Sequence, residues 1–177
     1  CSASLVACHA AACALQRREC EAHLVVGVNL MLLQASSAGM AIAGMTSLTG
    51  RSHTFDSRAD GFARGEGASA LSMAAADGGT GLGGSAVRQD GRSASLTAPN
   101  GQAQQGLLQA ALGDAKVAED ALSLGEAPGT GTALGDPIEA GSLVGSVLAS
   151  CGDNGLVRSL AAGGIKANVG HAEPGAG

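Results

Sequence analysis

The chain has 177 residues, 45% hydrophobic and 14% charged, enough for one domain with an apolar core. A net charge of -5 and only two Phe, with no Trp or Tyr, exclude the basic stripe and stacking platforms that nucleic acid demands. The most apolar run, Leu24 to Leu33, is about half of the roughly 20 residues a membrane-spanning helix needs, so no span is expected.

The 29 glycines and the small apolar residues predict a soluble core of Ala, Val and Leu with many tight turns. Nothing near Cys1 has the form of a secretion signal. The five cysteines (1, 8, 13, 20 and 151) include no C-x-x-C pair and no zinc-like spacing with histidine, so no metal site is expected. Cys8, Cys13 and Cys20 read as buried thiols of a reducing compartment, with the cytoplasm as the default location.

In chain order, residues 2–18 are Ala-rich with Leu5, Cys8, Ala12 and Leu15 at helical spacing, and Arg17 and Arg18 fall in the last turn, where cations suit the dipole. This puts Cys1 at a helix amino terminus, where unpaired N–H groups favour a thiolate nucleophile over the alternative of a packed small thiol. The run from His23, H-L-V-V-G-V-N-L-M-L, predicts a largely buried strand. Residues 34–68 read as loop, A-S-A-L-S-M-A after them as a strand, and 77–101 as turns. Gly79, Gly81 and Gly84 fit G-x-G-x-x-G, but no helix pattern and no ribose-binding acid comes after them, so a dinucleotide loop is rejected.

Residues 102–115 place Leu107, Leu108, Ala111 and Leu112 on one helical face. Further on, E-A-P-G-T-G-T-A-L-G-D-P-I-E-A (126–140) sets a Gly/Thr loop before a helix. Asp136 would cap it, Pro137 take its first position and Glu139 complete a capping box, with the helix running to about Ala149. The loop lacks a Gly-Lys-Ser/Thr ending, so it is no phosphate cradle. The tail predicts a short strand, then K-A-N-V-G-H, then a helix start with Pro174 in its first turn. Lys166 and His171 on that stretch could reach one pocket, whereas His9, His23 and His53 read as packed or surface residues.

These segments together resemble the β-ketoacyl synthase (ketosynthase) domains of the thiolase-like fold. C-S-A-S-L-V-A resembles the family's nucleophile stretch, and E-A-P-G-T-G-T-A-L-G-D-P-I-E-A its E-A-H-G-T-G-T motif. I-K-A-N-V-G-H-A-E is similar to the family's last motif. H-T-F-D-S-R-A-D-G-F-A-R-G-E-G and G-S-A-V-R-Q-D-G-R-S-A-S-L-T-A-P-N-G resemble the versions in modular type I polyketide synthases. The resemblance implies a layered α/β fold, α-β-α-β-α. Residues 1–177 would be a partial domain spanning the end of its amino-terminal half and the start of its carboxy-terminal half, poorly able to fold alone. The stretch 70–84 is shorter than the family segment.

The same resemblance implies acyl transfer to Cys1 and decarboxylative condensation with a malonyl-type thioester. His171 would donate to the thioester carbonyl, and Lys166 would balance charge, with Glu139 as its ion partner. Asp136 would support the site or serve only as a cap. Thr130 and Thr132 would hydrogen-bond the pantetheine arm of an acyl carrier protein. The partners would be that carrier and a second copy in a homodimer, with no separate cofactor. Pro128 stands where the family has another catalytic histidine, and proline offers neither N–H donor nor titratable group. That implies a non-elongating synthase; a misread histidine codon is the rival account of the same residue. A non-catalytic remnant that binds a carrier or holds a dimer, a thiolase and a nucleotide-binding protein are the competing classes.

Overall fold

The computed structural model describes residues 1–75, 80–95, 97–118, 121–148 and 159–176. Helix α1 (Ala3–Gln16) leads into strand β1 (Ala22–Asn29), which pairs antiparallel with β2 (Gly67–Ala74), Ala22 opposite Ala74 and Asn29 opposite Gly67. Between them lie helix α2 (Gln34–Ile42) and a long irregular segment. Helix α3 (Gly101–Ala115) packs on α4 (Gly135–Leu143), and β3 (Leu124–Glu126) pairs in parallel with β4 (Ala161–Gly163). Helix α5 (Lys166–Val169) and a 3-10 turn (Glu173–Gly175) close the chain.

Two elements are held by identifiable local chemistry. Asn100 caps α3, its side chain accepting from the N–H groups of Gln102 and Ala103, and Lys116 ends the helix in the left-handed conformation. Ser142 of α4 donates to the carbonyls of Gly101, at 3.1 Å, and Ile138, at 2.7 Å, which ties the two helices together. Past Leu143 the α4 ladder widens into one π-helical stretch, Val144–Leu148, where Ser146 donates to the Ser142 carbonyl; Ala149 lies outside the described residues.

Several expectations are corrected. The stretch after β1 is not all loop, because Gln, Ala and Met in Q-A-S-S-A-G-M-A-I support α2; no acidic or amide cap announces it, and none of its residues is buried. Strand β1 ends at Asn29 and is covered on one face only, with Val25, Gly27 and Asn29 inside and Leu24, Val26 and Val28 exposed. Arg17 and Arg18 lie beyond the last turn of α1, Arg18 in the left-handed conformation. Cys8, Cys13 and Cys20 are half-buried free thiols, not core residues, and Cys151 lies outside the described residues. Pro174 sits in a 3-10 turn, too short to be the expected helix. Of the G-x-G-x-x-G glycines, Gly79 lies outside the described residues, and Gly81 and Gly84 are in irregular chain with no helix directly after them.

Gly27 sets how closely the two ends of the chain can approach β1. A Cβ there would come within 3.1 Å of both the Ser4 side chain and the Gly175 backbone, so glycine lets α1 and the 3-10 turn lie directly on the strand. The start of α1 and the turn after His171 thus share one strand.

The buried apolar residues among those described are Ala11, Val25, Phe62 and Val147, while Leu24, Val26, Val28 and Leu71 of the β1–β2 sheet stand exposed. Two-stranded sheets with an open apolar face are marginal alone. The 177 residues expressed by themselves are therefore expected to melt broadly and to bind a hydrophobic dye; a sharp, cooperative melt would contradict this.

Candidate active site

The carboxyl ends of the parallel strands β3 and β4 organise the site. Pro128 follows β3 by two residues and Lys166 follows β4 by three, so both leave the sheet on the same side, where open α/β sheets place their ligands. Glu126, the last residue of β3, accepts from the Ile165 N–H at 2.6 Å and steadies the turn into α5. This use of Glu126 had no local sequence signal, since the two residues are 39 apart.

The Gly/Thr loop is packed backbone against backbone. Gly131 has φ +81, and a Cβ on it would meet the His53 nitrogen at 2.6 Å; Gly129 has φ +47 and a Cβ there would strike Thr54. Thr54 donates to the Gly129 carbonyl at 2.5 Å, and the Gly61 N–H donates to the Gly131 carbonyl at 3.0 Å. Thr132 accepts from the Gly135 N–H at 3.1 Å, and Thr130 lies 3.4 Å from it, hydroxyl to hydroxyl. Pro128 is exposed, between an Ala127 N–H spent on Gly163 and a Gly129 N–H spent on Glu139. The loop is held by its neighbours and not by the side chain at 128.

The capping box is not formed. The helix begins two residues earlier, with Leu134 at the N-cap position, and the 3% exposed Asp136 turns back to the loop. Its carboxylate accepts from the N–H groups of Phe55 at 2.7 Å, Gly131 at 3.0 Å and Thr132 at 3.2 Å. Glu139 likewise reaches past the helix start to the Gly129 N–H, at 2.8 Å. These loop donors outcompete the helix's own because the loop N–H groups are turned inward, away from water.

Lys166 is 8% exposed, and burial pushes its ammonium down, opposed by the charges of Glu139 and Glu126. Among the described residues no carboxylate stands within ion-pair distance of it, so Glu139 acts on Lys166 through the field and not by contact. Glu139 itself is pushed up, chiefly by burial.

His171 is 1% exposed and its ring meets Phe62 edge-on at 5.1 Å. Its backbone N–H donates to the Ala63 carbonyl at 2.7 Å, and its carbonyl accepts from Gly65 at 2.9 Å. Nδ1 accepts from the Glu173 N–H at 3.3 Å, which leaves the ring proton on Nε2. That Nε2 is buried with no partner among the described residues. Burial first, then Lys166, push His171 down to about 4, with Glu173 opposing. The imidazole is therefore neutral at ordinary pH, a donor with no acceptor among the described residues.

Cys1 is exposed, one residue before the Ser2 cap of α1, and its backbone nitrogen lies in the electrostatic neighbourhood of His171. The site thus brings Cys1, His171, Lys166 and Glu139 into one electrostatic neighbourhood. The contact of Gly129 with Gly164 sets residue 128 beside the turn that carries Lys166. An open cleft of about 370 Å³ includes Thr132 and Asp136 but none of Cys1, Lys166 and His171. His9 bonds Ser85 and Cys13 and stands outside the site; no group of three or more potential metal ligands exists among the described residues.

A thiol at a helix start, a neutral buried imidazole and a buried lysine thus lie in one neighbourhood. Residues 1–77 match the beta-ketoacyl synthase N-terminal domain and residues 81–177 the beta-ketoacyl synthase C-terminal domain, and the chain belongs to the β-ketoacyl synthase family. Over its whole length it is 45% identical to one phenolphthiocerol/phthiocerol polyketide synthase polypeptide of Mycobacterium tuberculosis, of which it spans 8%. A second polypeptide of the same synthase and organism is 44% identical, with 10% of its length spanned. The first alignment covers 185 residues against a chain of 177, so this chain lacks residues that its relative has.

Among solved structures, the ketosynthase from module 6 of the bacillaene synthase of Bacillus subtilis superposes with a TM-score of 0.91 at 36% identity, covering 100% of this chain and 32% of that one. The oxazolomycin ketosynthase domain of Streptomyces albus gives 0.92 at 34%, covering 100% and 31%. The fold is thus the α/β thiolase-like one, and the chain spans about a third of these ketosynthases. No described helix is long and apolar enough to cross a membrane.

Two measurements check this geometry in the intact protein. Asp136→Ala leaves three N–H groups unpaired at about 1–3 kcal/mol each, so chemical denaturation should show a loss of about 3 kcal/mol or more; a loss under about 1 kcal/mol would mean the loop stands without it. His171 titrates near 4 when folded, below its ordinary 6.5, so its stabilising neutrality is intact above pH 6.5 and lost as pH falls toward 4. Stability should drop across that window in the native protein, and the drop should shrink in His171→Asn.

Proposed function

We propose that residues 1–177 are part of a ketosynthase domain of a modular polyketide synthase, accepting an acyl group on Cys1 from an acyl carrier protein. The Cys1 thiolate attacks the thioester carbon, the new C–S bond forms as the bond to the carrier sulfur breaks, and the carrier leaves as a thiolate that takes up the proton Cys1 gave up. In the second step a malonyl-type thioester loses carbon dioxide and its enolate carbon attacks the acyl-enzyme, releasing Cys1. His171 donates Nε2–H to the malonyl thioester oxygen as the enolate charge develops. Lys166 steadies that charge and Glu139 tempers the lysine. Thr130 and Thr132 bind the pantetheine arm.

The observation that carries this reading is the buried Nε2 of His171. A neutral donor held without a partner, beside a cation, is preorganised for an oxygen that becomes negative only during reaction. Donation from a neutral imidazole also explains why a low proton affinity suits the site, since the group need not change charge to act.

Pro128 removes the second donor that the family sequence has at this position. Losing one such donor costs about 10²- to 10³-fold in rate, and here the loss falls on decarboxylation. Transfer to Cys1, which relies on the thiol, proceeds. The domain therefore loads and passes on acyl chains but extends them poorly. It works on carrier-bound substrates without a cofactor of its own, in a cytoplasmic homodimer.

Peptide mass spectrometry of the intact protein, given an acyl thioester and then a malonyl-loaded carrier, tests this. The expected digest shows Pro128, an acyl adduct on Cys1 and no extended product. Extended product from a protein with verified Pro128 would reject the non-elongating reading. Cys1 left unacylated would favour a carrier-binding or dimer-holding remnant.

A further inference from the structure

We infer that Arg64 is a positioning residue for His171, setting through Glu173 which ring nitrogen keeps the proton; this rests on the donor role proposed for His171. The segment around Arg64 holds His171 from both sides of its backbone. Ala63 accepts from the His171 N–H at 2.7 Å and Gly65 donates to its carbonyl at 2.9 Å, a parallel bridge with Arg64 opposite His171. The Arg64 side chain then crosses the histidine turn. Its Nε donates to Glu173 at 2.5 Å and its terminal nitrogen to the Ser37 hydroxyl at 2.6 Å.

Of the three ion pairs among the described residues, this one is nearly shut from water, with side chains 10% and 15% exposed; the other arginines in ion pairs are more than two-thirds exposed. What the pair holds is unusual. Glu173 has φ +44, a left-handed conformation that a residue with a side chain adopts only when its surroundings enforce it. In that conformation the Glu173 N–H faces the Nδ1 of His171.

The consequence is a tautomer lock. With Nδ1 accepting from a backbone N–H, the ring proton must sit on Nε2, the atom that is buried and unpartnered. Without the Arg64 pair, Glu173 relaxes toward an ordinary backbone, its N–H leaves Nδ1, and the ring is free to carry its proton on either nitrogen. A ring protonated on Nδ1 presents a lone pair where a donor is needed. Glu173 itself touches no reacting atom; it acts through the imidazole, and Arg64 acts through Glu173.

The test uses the full-length protein carrying Pro128→His, so that decarboxylation is measurable, and compares Cys1 acylation with malonyl-carrier decarboxylation. Arg64→Met is expected to slow decarboxylation about tenfold while acylation changes less than about twofold. Arg64→Lys, which keeps a charged donor for Glu173, should recover most of that loss. Equal losses in both steps would mean a merely structural arginine, and no loss would overturn the proposal. Should Arg64→Met fail to fold, Glu173→Gln, which keeps side-chain size and the backbone N–H, is expected to give about a threefold loss confined to decarboxylation. No loss there would equally overturn it. His171→Ala in the same background separates the two claims. If it decarboxylates normally, the donor role of His171 fails; if it loses decarboxylation while the Arg64 variants do not, only the positioning role fails.

Discussion

Burying an imidazole with one nitrogen satisfied and the other without a partner among the described residues is the constraint around which this structure is arranged. An unpaired buried polar group costs stability, and a fold retains one only where the surroundings over-determine it. Here the over-determination is visible in residue terms. His171 is tied by both backbone groups to the segment 63–65, set edge-on against Phe62 and fixed at Nδ1 by Glu173. Gly27 lets the start of α1 and the turn beyond His171 share the β1 surface, which carries Cys1 into the same neighbourhood. The electrostatic result is a neutral imidazole beside a cation, the state in which a donor can serve a developing oxyanion without itself ionising.

The second device is the Gly/Thr loop, which is organised from inside by carboxylates. Asp136 gathers three backbone donors and Glu139 one more, so the tight left-handed turns at Gly129 and Gly131 are stabilised by charge-assisted hydrogen bonds. Because Glu139 is engaged there, Lys166 is left with a field and no contact partner among the described carboxylates. The loop also presents residue 128 after β3 with its side chain exposed and the N–H groups on either side of it already engaged.

Much of this was legible in the sequence because the glycines and the chemistry-bearing residues travel in short, specific strings. The helix over 102–115, expected from its apolar face, and the strand expected over 68–74 both exist within a residue or two. Helix α2 was hidden because its serines and Gly39 dilute a pattern that has no cap and no buried face. The spacing of Asp136 and Glu139 fits a capping box as well as it fits the loop network, and only the inward-turned N–H groups decide between them. The link between Arg64 and Glu173 spans 109 residues, and no local pattern could announce it. The unpartnered Nε2 of His171 is likewise a property of packing, invisible in a string of letters.

A single absent imidazole, on this reading, separates a loading domain from an extending one. Under that proposal the remaining parts would be a thiol at a helix start, a neutral buried donor, a buried cation and a braced loop. The most direct test is the rate of malonyl-carrier decarboxylation by the full-length protein before and after Pro128→His. A rise of about 10²- to 10³-fold is expected, the value of one restored oxyanion donor. An unchanged rate would be incompatible with the non-elongating reading, and would mean that residue 128 does not face the reacting oxygen at all.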